Sequence, residues 1–260
     1  MTVWTFGGTG LASFGKVTLI DDYLSTPVRR GNNIVIPFQH GSIFVQKYYD
    51  SRTLVFGIAV IAASATALET AFDTLHALLA PTTEQTLSCT REDSTVRTAQ
   101  ASVNGAIDIN RFSDRIAKIT VGFELSKPFF RLSTAIADNT TTINANPKAM
   151  TVTNPGTIDE RDATIIYTGP LQNTVITNST NGCVLTYTGT IASPRVVTLS
   201  KNATGEYVAT TDLGANVIGN FTHSGSPALM VFNVGTNTLS IADSTHTTGT
   251  IRCSFSAPFL

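Results

Sequence analysis

Five kinds of residue in this sequence could carry chemistry, and in each case the spacing argues against that use. His40, His76, His223 and His246 stand singly, with none at the i, i+4 spacing that sets two imidazoles on one helix face for zinc. Cys89, Cys183 and Cys253 are odd in number, widely separated and free of any C-x-x-C pair. They read as reduced core thiols. The adjacent acids Asp21-Asp22, Glu92-Asp93 and Asp159-Glu160 could cleave a glycoside only with one carboxyl held protonated near an ionised one. Neighbours in an extended chain point to opposite sides, so these read as solvated loop acids. A serine nucleophile needs a strained turn with a base and an acid converging on it, a setting that His223-Ser224-Gly225-Ser226 lacks. Gly7-Gly8-Thr9-Gly10 departs from G-x-G-x-x-G and leads through Leu11-Ala12-Ser13-Phe14-Gly15 into a strand, which makes it a turn rather than a phosphate cradle. No catalytic residue, cofactor or metal is expected.

Composition narrows the remaining classes. The 260 residues carry 17 Lys plus Arg against 18 Asp plus Glu, for a net charge of −1. That balance disfavours a dedicated nucleic-acid binder, which gathers basic residues into a patch, and it disfavours polybasic membrane docking. Only 13% of residues are charged while 42% are apolar, so the surface is expected to be Thr, Ser, Asn and Gly or to be covered by partners, as interface cores are. The start, Met1-Thr2-Val3-Trp4-Thr5-Phe6-Gly7-Gly8, lacks the basic segment, apolar run and cleavage site of a secretory leader. The uncharged apolar stretch Thr53 to Leu68 falls short of the roughly 20 residues a membrane helix needs. No membrane association is expected, and the Asn-x-Ser/Thr sites at Asn139, Asn178, Asn202 and Asn220 carry no expected meaning.

The elements that would have to position a site fall into two domains. Residues 1–131 hold 12 Lys/Arg and 11 Asp/Glu, whereas residues 151–260 hold 4 and 6 with 22 threonines. Between them, 132–150 is rich in Asn, Thr and Pro and reads as a linker. In the first domain strands are predicted at Lys16–Ile20, Ser42–Tyr49, Arg52–Ile61, Gln85–Thr90, Val96–Val103 and Arg115–Leu125, with Asp50-Ser51 joining the second and third as a hairpin. Leu68, Ala71, Phe72, Leu75, Leu78 and Leu79 form one helical stripe, opened by a Thr66-x-x-Glu69 capping box and stopped by Pro81. The fold class is therefore mainly β, with an α+β first domain whose single helix packs on a β-sandwich or split barrel. The second domain shows about eight short strands (163–167, 171–178, 183–187, 195–200, 206–211, 229–234, 237–241 and 250–255) at the even spacing of an antiparallel sandwich or jelly roll. Its aromatics Tyr167, Tyr187, Tyr207, Phe221 and Phe232 could stack on sugar rings, but their alternation with polar residues points first to a core.

The pattern as a whole resembles the distal tail protein family of long-tailed bacteriophages, also called phage tail or minor tail proteins. The resemblance rests on Gly31-Asn32-Asn33-Ile34-Val35-Ile36-Pro37-Phe38-Gln39-His40-Gly41 before the hairpin and on the lone capped helix. It continues through Ile119 to Phe130, where a strand runs into Pro128-Phe129, and through Thr153-Asn154-Pro155-Gly156 leading to a strand at Ile165. It implies a galectin-like C-terminal β-sandwich and a structural virion protein forming a hexameric ring at the tail tip. The implied partners are further copies of itself, the tail tube protein, the tail-associated hub or baseplate and the tape-measure protein, with DNA only passing through the channel. Assembly would take place in the host cytoplasm. A cyclic ring needs two different low-charge patches on each subunit, and Phe38, Phe44, Tyr48, Tyr49, Asp50 and Arg52 around the expected hairpin are the candidate interface residues. The alternative from another class is a tail-tip adhesin whose second domain holds host saccharide.

Overall fold

The computed structural model describes residues 2–20, 25–38, 40–136, 139–225, 229–245 and 248–260. Met1, Asp21, Asp22, Gln39, Ser226 and His246, all named above, lie outside them. The chain forms two compact units, Met1–Ser133 and Thr134–Phe259.

The first unit is built on β1 (Val3–Phe6), β2 (Lys16–Leu19), β3 (Arg52–Ile61), β4 (Gln85–Thr90), β5 (Val96–Arg111) and β6 (Ile116–Leu125), with α1 (Ala65–Leu79) after β3. The sheet order is β1-β4-β5-β6-β3-β2, antiparallel throughout. β5 joins two parts of this sheet. Its first residues, Val96 to Ala101, pair with β4, and Ser102 to Arg111 pair with β6 across a register shift between Asn104 and Asp108. Such bulges bend a strand and let it turn a corner. On β6 the residues Ala117, Ile119, Val121, Phe123 and Leu125 are buried, as their alternation predicts, and face Leu54, Phe56, Ile58 and Val60 of β3. Phe123 packs its ring 4.6 Å from Phe6 and 5.5 Å from Phe56. Gly7 and Gly8, at φ +54° and +83°, make the two-residue turn between Val3–Phe6 and Thr9–Gly10, a conformation with positive φ at both positions that glycine adopts without strain.

α1 buries Leu68, Phe72, Leu75 and Leu79, four of the six stripe residues, and packs Ala71 and Leu78 partly against the same core. Its cap differs from the one expected. Ser64, in extended conformation, accepts from the Ala67 N–H at 3.1 Å, while the Thr66 position is already helical. Glu69 instead pairs with Arg111 Nη1 at 2.6 Å.

The predicted hairpin of Ser42–Tyr49 with Arg52–Ile61 is absent. β6 takes one edge of β3 over ten registered pairs, and β2 pairs with Phe56 to Ala59 on the other. The segment pairs backward instead: Tyr48 and Tyr49 with Arg30 and Arg29, Ser42 and Ile43 with Val35 and Ile34. Residues 28–50 thus form an arm of two short ladders, closed at its base by the Asp50 N–H donating to Val28 O at 2.8 Å.

The second unit is an antiparallel sandwich. Its strands are β7 (Asn139–Thr142), β8 (Lys148–Asn154), β9 (Thr164–Thr168), β10 (Val175–Asn178), β11 (Cys183–Tyr187), β12 (Val196–Lys201), β13 (Tyr207–Thr211), β14 (Phe221–Ser224), β15 (Gly235–Ala242) and β16 (Thr250–Ser254). One sheet runs β7-β16-β9-β12-β13 and the other β8-β15-β10-β11-β14. Inward residues such as Ile165, Tyr167, Leu199 and Ile251 from the first meet Val152, Ile176, Leu185 and Leu239 from the second. Much of the stretch 132–150, expected as linker, is strand: β7 and the start of β8 belong here, because their threonines suit a half-buried pleated surface as well as a turn.

Leu229–Val234 was expected as a strand and is not one. Leu229, Met230, Val231 and Phe232 are all buried, an unbroken apolar run without the period of two, and they fill the interior as an irregular plug. Its backbone is satisfied by buried amides. Asn178 Nδ2 donates to Val231 O at 2.8 Å, Asn181 Nδ2 to the same oxygen at 2.9 Å, and Asn154 Nδ2 to Phe232 O at 3.2 Å. Glu160 and Phe232 exchange both backbone bonds. Buried carbonyls left without such partners would destabilise the fold.

Candidate assembly surface

The candidate interface residues separate into those the arm displays and those that anchor it. Phe38 is fully exposed at the arm's tip, Phe44 is 73% exposed and Tyr48 51%. Tyr49, one residue on, faces inward. Its ring lies 5.5 Å from Phe129, edge to face, and beneath the Arg29 guanidinium at 5.2 Å, while its hydroxyl accepts from Arg29 Nη2 at 3.2 Å. Asp50 is exposed but caps its own turn, its Oδ1 accepting from the Ser51 N–H at 2.9 Å. Arg52 is buried at 7% exposure and donates to Ser25 Oγ at 3.4 Å, so it supports the arm's base and is not presented to a partner.

Val28, Ile34, Val35 and Ile43 are exposed on the same arm and were not singled out by sequence. The signal was there in part: Ile34-Val35-Ile36 is an apolar run between Gly31-Asn32-Asn33 and Pro37, too short to be a core strand and too apolar for an ordinary loop. An exposed apolar cluster of this kind on a folded domain marks a surface that another molecule covers.

The residues with potential for chemistry are dispersed or internal. Among the described residues no group of three His, Cys, Asp or Glu could hold a metal ion. All three cysteines are buried in the cores. Asp93 is held below the usual carboxylate range by the Thr95 hydroxyl and N–H, and Glu206 by Asn202 and Thr204, the reverse of what a general acid requires. Glu160, expected as a solvated loop acid, is wholly buried, and its carboxylate accepts from the Asp162 N–H. Lys201 Nζ meets Asp162 Oδ1 at 2.5 Å and lies 4.8 Å from the Tyr207 ring centroid. The aromatics weighed for sugar stacking are mostly inside the sandwich. Tyr167, Tyr187, Phe221 and Phe232 are buried, the first three as a mutual cluster with centroids 5.0–6.0 Å apart, and Tyr207 is half-buried with its hydroxyl donating to Arg161 O at 3.0 Å.

Residues 13–125, most of the first unit, match the phage tail protein RIFT-related domain family. No curated protein matches the sequence. Among solved structures, the chain is similar over 100% of both chains, at 15% identity and a TM-score of 0.70, to the phage SPP1 Dit protein, described as a paradigm of the hub adsorption apparatus in phages that infect Gram-positive bacteria. A chain of the phage P2 baseplate in its activated conformation with Ca gives a TM-score of 0.45 at 9% identity, again over 100% of both chains. At these identities the likeness is one of fold.

Proposed function

We propose, from the match of residues 13–125 to the phage tail protein RIFT-related domain family, that this protein is a structural component of the distal tail of a long-tailed phage. Six copies form a ring at the tail tip that joins the last layer of tail tube to the hub or baseplate. The tape-measure protein ends against it, and DNA leaves through its lumen. The ring is assembled in the host cytoplasm, and its mechanism is geometric, with no covalent step.

The observation that carries this reading is the arm of residues 28–50, whose exposed apolar side chains are fixed to the first unit by Tyr49, Arg29 and Arg52. An exposed apolar projection of this kind marks a surface that another molecule covers, and a neighbouring subunit in a closed ring supplies that cover. The Thr-rich, charge-poor second unit suits packing inside a larger assembly.

The test is the mass of the purified protein by light scattering with negative-stain imaging, for the wild type and for Phe38→Asp combined with Phe44→Asp. The wild type is expected to form closed rings of about six subunits, on its own or with tube protein as template. The double variant should remain a folded monomer in both settings. A folded variant that still closes rings would move the interface off the arm.

A further inference from the structure

The outer face of the first sheet carries a second apolar feature. Ile20 beside β2, Gly57 and Ala59 of β3, Ile116 of β6 and Phe112 just before it line an open cavity of about 230 Å³. The cavity owes its floor to Gly57: a Cβ there would stand 3.4 Å from Lys118 Cε and 3.7 Å from Ile20 Cδ1, in space that is now empty. Its rim is exposed, with Ile20 at 52%, Phe112 at 64% and Ile116 at 42%. Among the described residues, none of the arm lines it, and Phe38 is fully exposed. Phe38 also sits at φ +62°, a left-handed conformation that bulky residues avoid. Local strain and a fully hydrated ring coincide at one residue, and strain of this kind persists where it serves a contact.

We propose that Phe38 of one copy inserts into the groove between Ile20, Gly57 and Phe112 of the next copy. This rests on the reading that the arm reaches a neighbouring subunit, and it names the receiving site. Size permits it, because an apolar cavity of about 150 Å³ already takes up benzene. The topology also fits. Knob and hole are different patches on one domain, so the contact is head to tail, and repeated by rotation it closes into a ring, which a self-complementary patch does not do.

The test uses full-length chains mixed in pairs and oxidised, with disulfide-linked heterodimer followed on non-reducing gels. One chain carries Phe38→Cys and the other Ala59→Cys; the control partner carries Thr204→Cys, an exposed position far along the sequence. The groove pair is expected to cross-link at least tenfold faster than the control pair, and Gly57→Val added to the Ala59→Cys chain should remove that advantage. Gly57→Val should fold, because Gly57 lies outside the left-handed region and its added Cβ meets only contacts of 3.4 Å and more. Equal rates for the two pairs overturn the proposal, as does an advantage that survives Gly57→Val. If the rates are equal while Phe38→Asp with Phe44→Asp still abolishes rings, the arm keeps its role and only the receiving groove is wrong. If rings also survive that variant, both readings fall.

Discussion

Cys253 and Tyr167 show what burial does to a titratable group that serves only packing. Burial pushes the Cys253 thiol up to about 12, and it raises the Tyr167 hydroxyl well above its ordinary range, with Cys253 adding to the effect. The folded chain therefore keeps a proton that the unfolded chain releases above the ordinary thiol value of 9.0. Stability is complete below that pH and is lost as pH rises from about 9 toward about 12, with a slope of up to about 1.4 kcal/mol per pH unit for each group. Urea midpoints measured from pH 8 to pH 11 should fall steadily over the last two units, and Cys253→Ala should flatten the fall. A midpoint constant across that range would contradict the burial of these groups. That the cysteines are core thiols was legible from their count and spacing. The burial of Glu160 was not, because it depends on a backbone exchange with Phe232, 72 positions along the chain.

At the scale of elements, legibility followed periodicity. The stripe of α1 and the alternation of β6 each encode which face is buried, and both are found where the sequence puts them. The arm's pairing is not encoded in this way, because Ile43-Phe44-Val45 and Tyr48-Tyr49 show no alternation, and a chain segment does not announce its pairing partner when neither face is buried. The plug at Leu229–Phe232 reads as a strand in sequence for a related reason: a short apolar run signals burial without signalling backbone geometry. The helix cap gives a direct check. Ser64→Ala should cost about 1 kcal/mol of stability, the usual worth of an N-cap hydroxyl, while Thr66→Ala should cost less. Chemical denaturation of the two variants decides it, and the opposite order would restore the cap expected from sequence.

At the scale of the whole molecule, near-neutrality bears on the DNA passage proposed for the ring. A channel that conducts a polyanion has to avoid neutralising its phosphates, since each contact made is one that must be broken for the strand to advance. With 17 basic and 18 acidic side chains the protein has no excess positive charge to spend on such contacts. Duplex DNA titrated against the purified protein at 150 mM salt should give no shift in anisotropy up to micromolar concentrations. Tight, salt-sensitive binding would argue for a role in holding nucleic acid. Neither the arm's outward display nor the groove could be deduced from composition, because both depend on which of many apolar residues the fold leaves uncovered.

The amides that support the plug also bear on chemical ageing. Asparagine followed by glycine is the dipeptide most prone to lose its side-chain nitrogen, because the glycine backbone nitrogen can attack the amide carbon and close a succinimide. Asn181-Gly182 is such a pair, yet its side chain is tied to Val231 O, to Asn233 Oδ1 at 2.5 Å and to the Cys183 N–H at 3.0 Å. The attacking nitrogen is itself engaged with Asn178 O at 2.8 Å. The fold thus shields this pair from that reaction. A molecule that stays unfolded long enough to deamidate would return with a carboxylate aimed at a buried carbonyl, and could no longer close its second core.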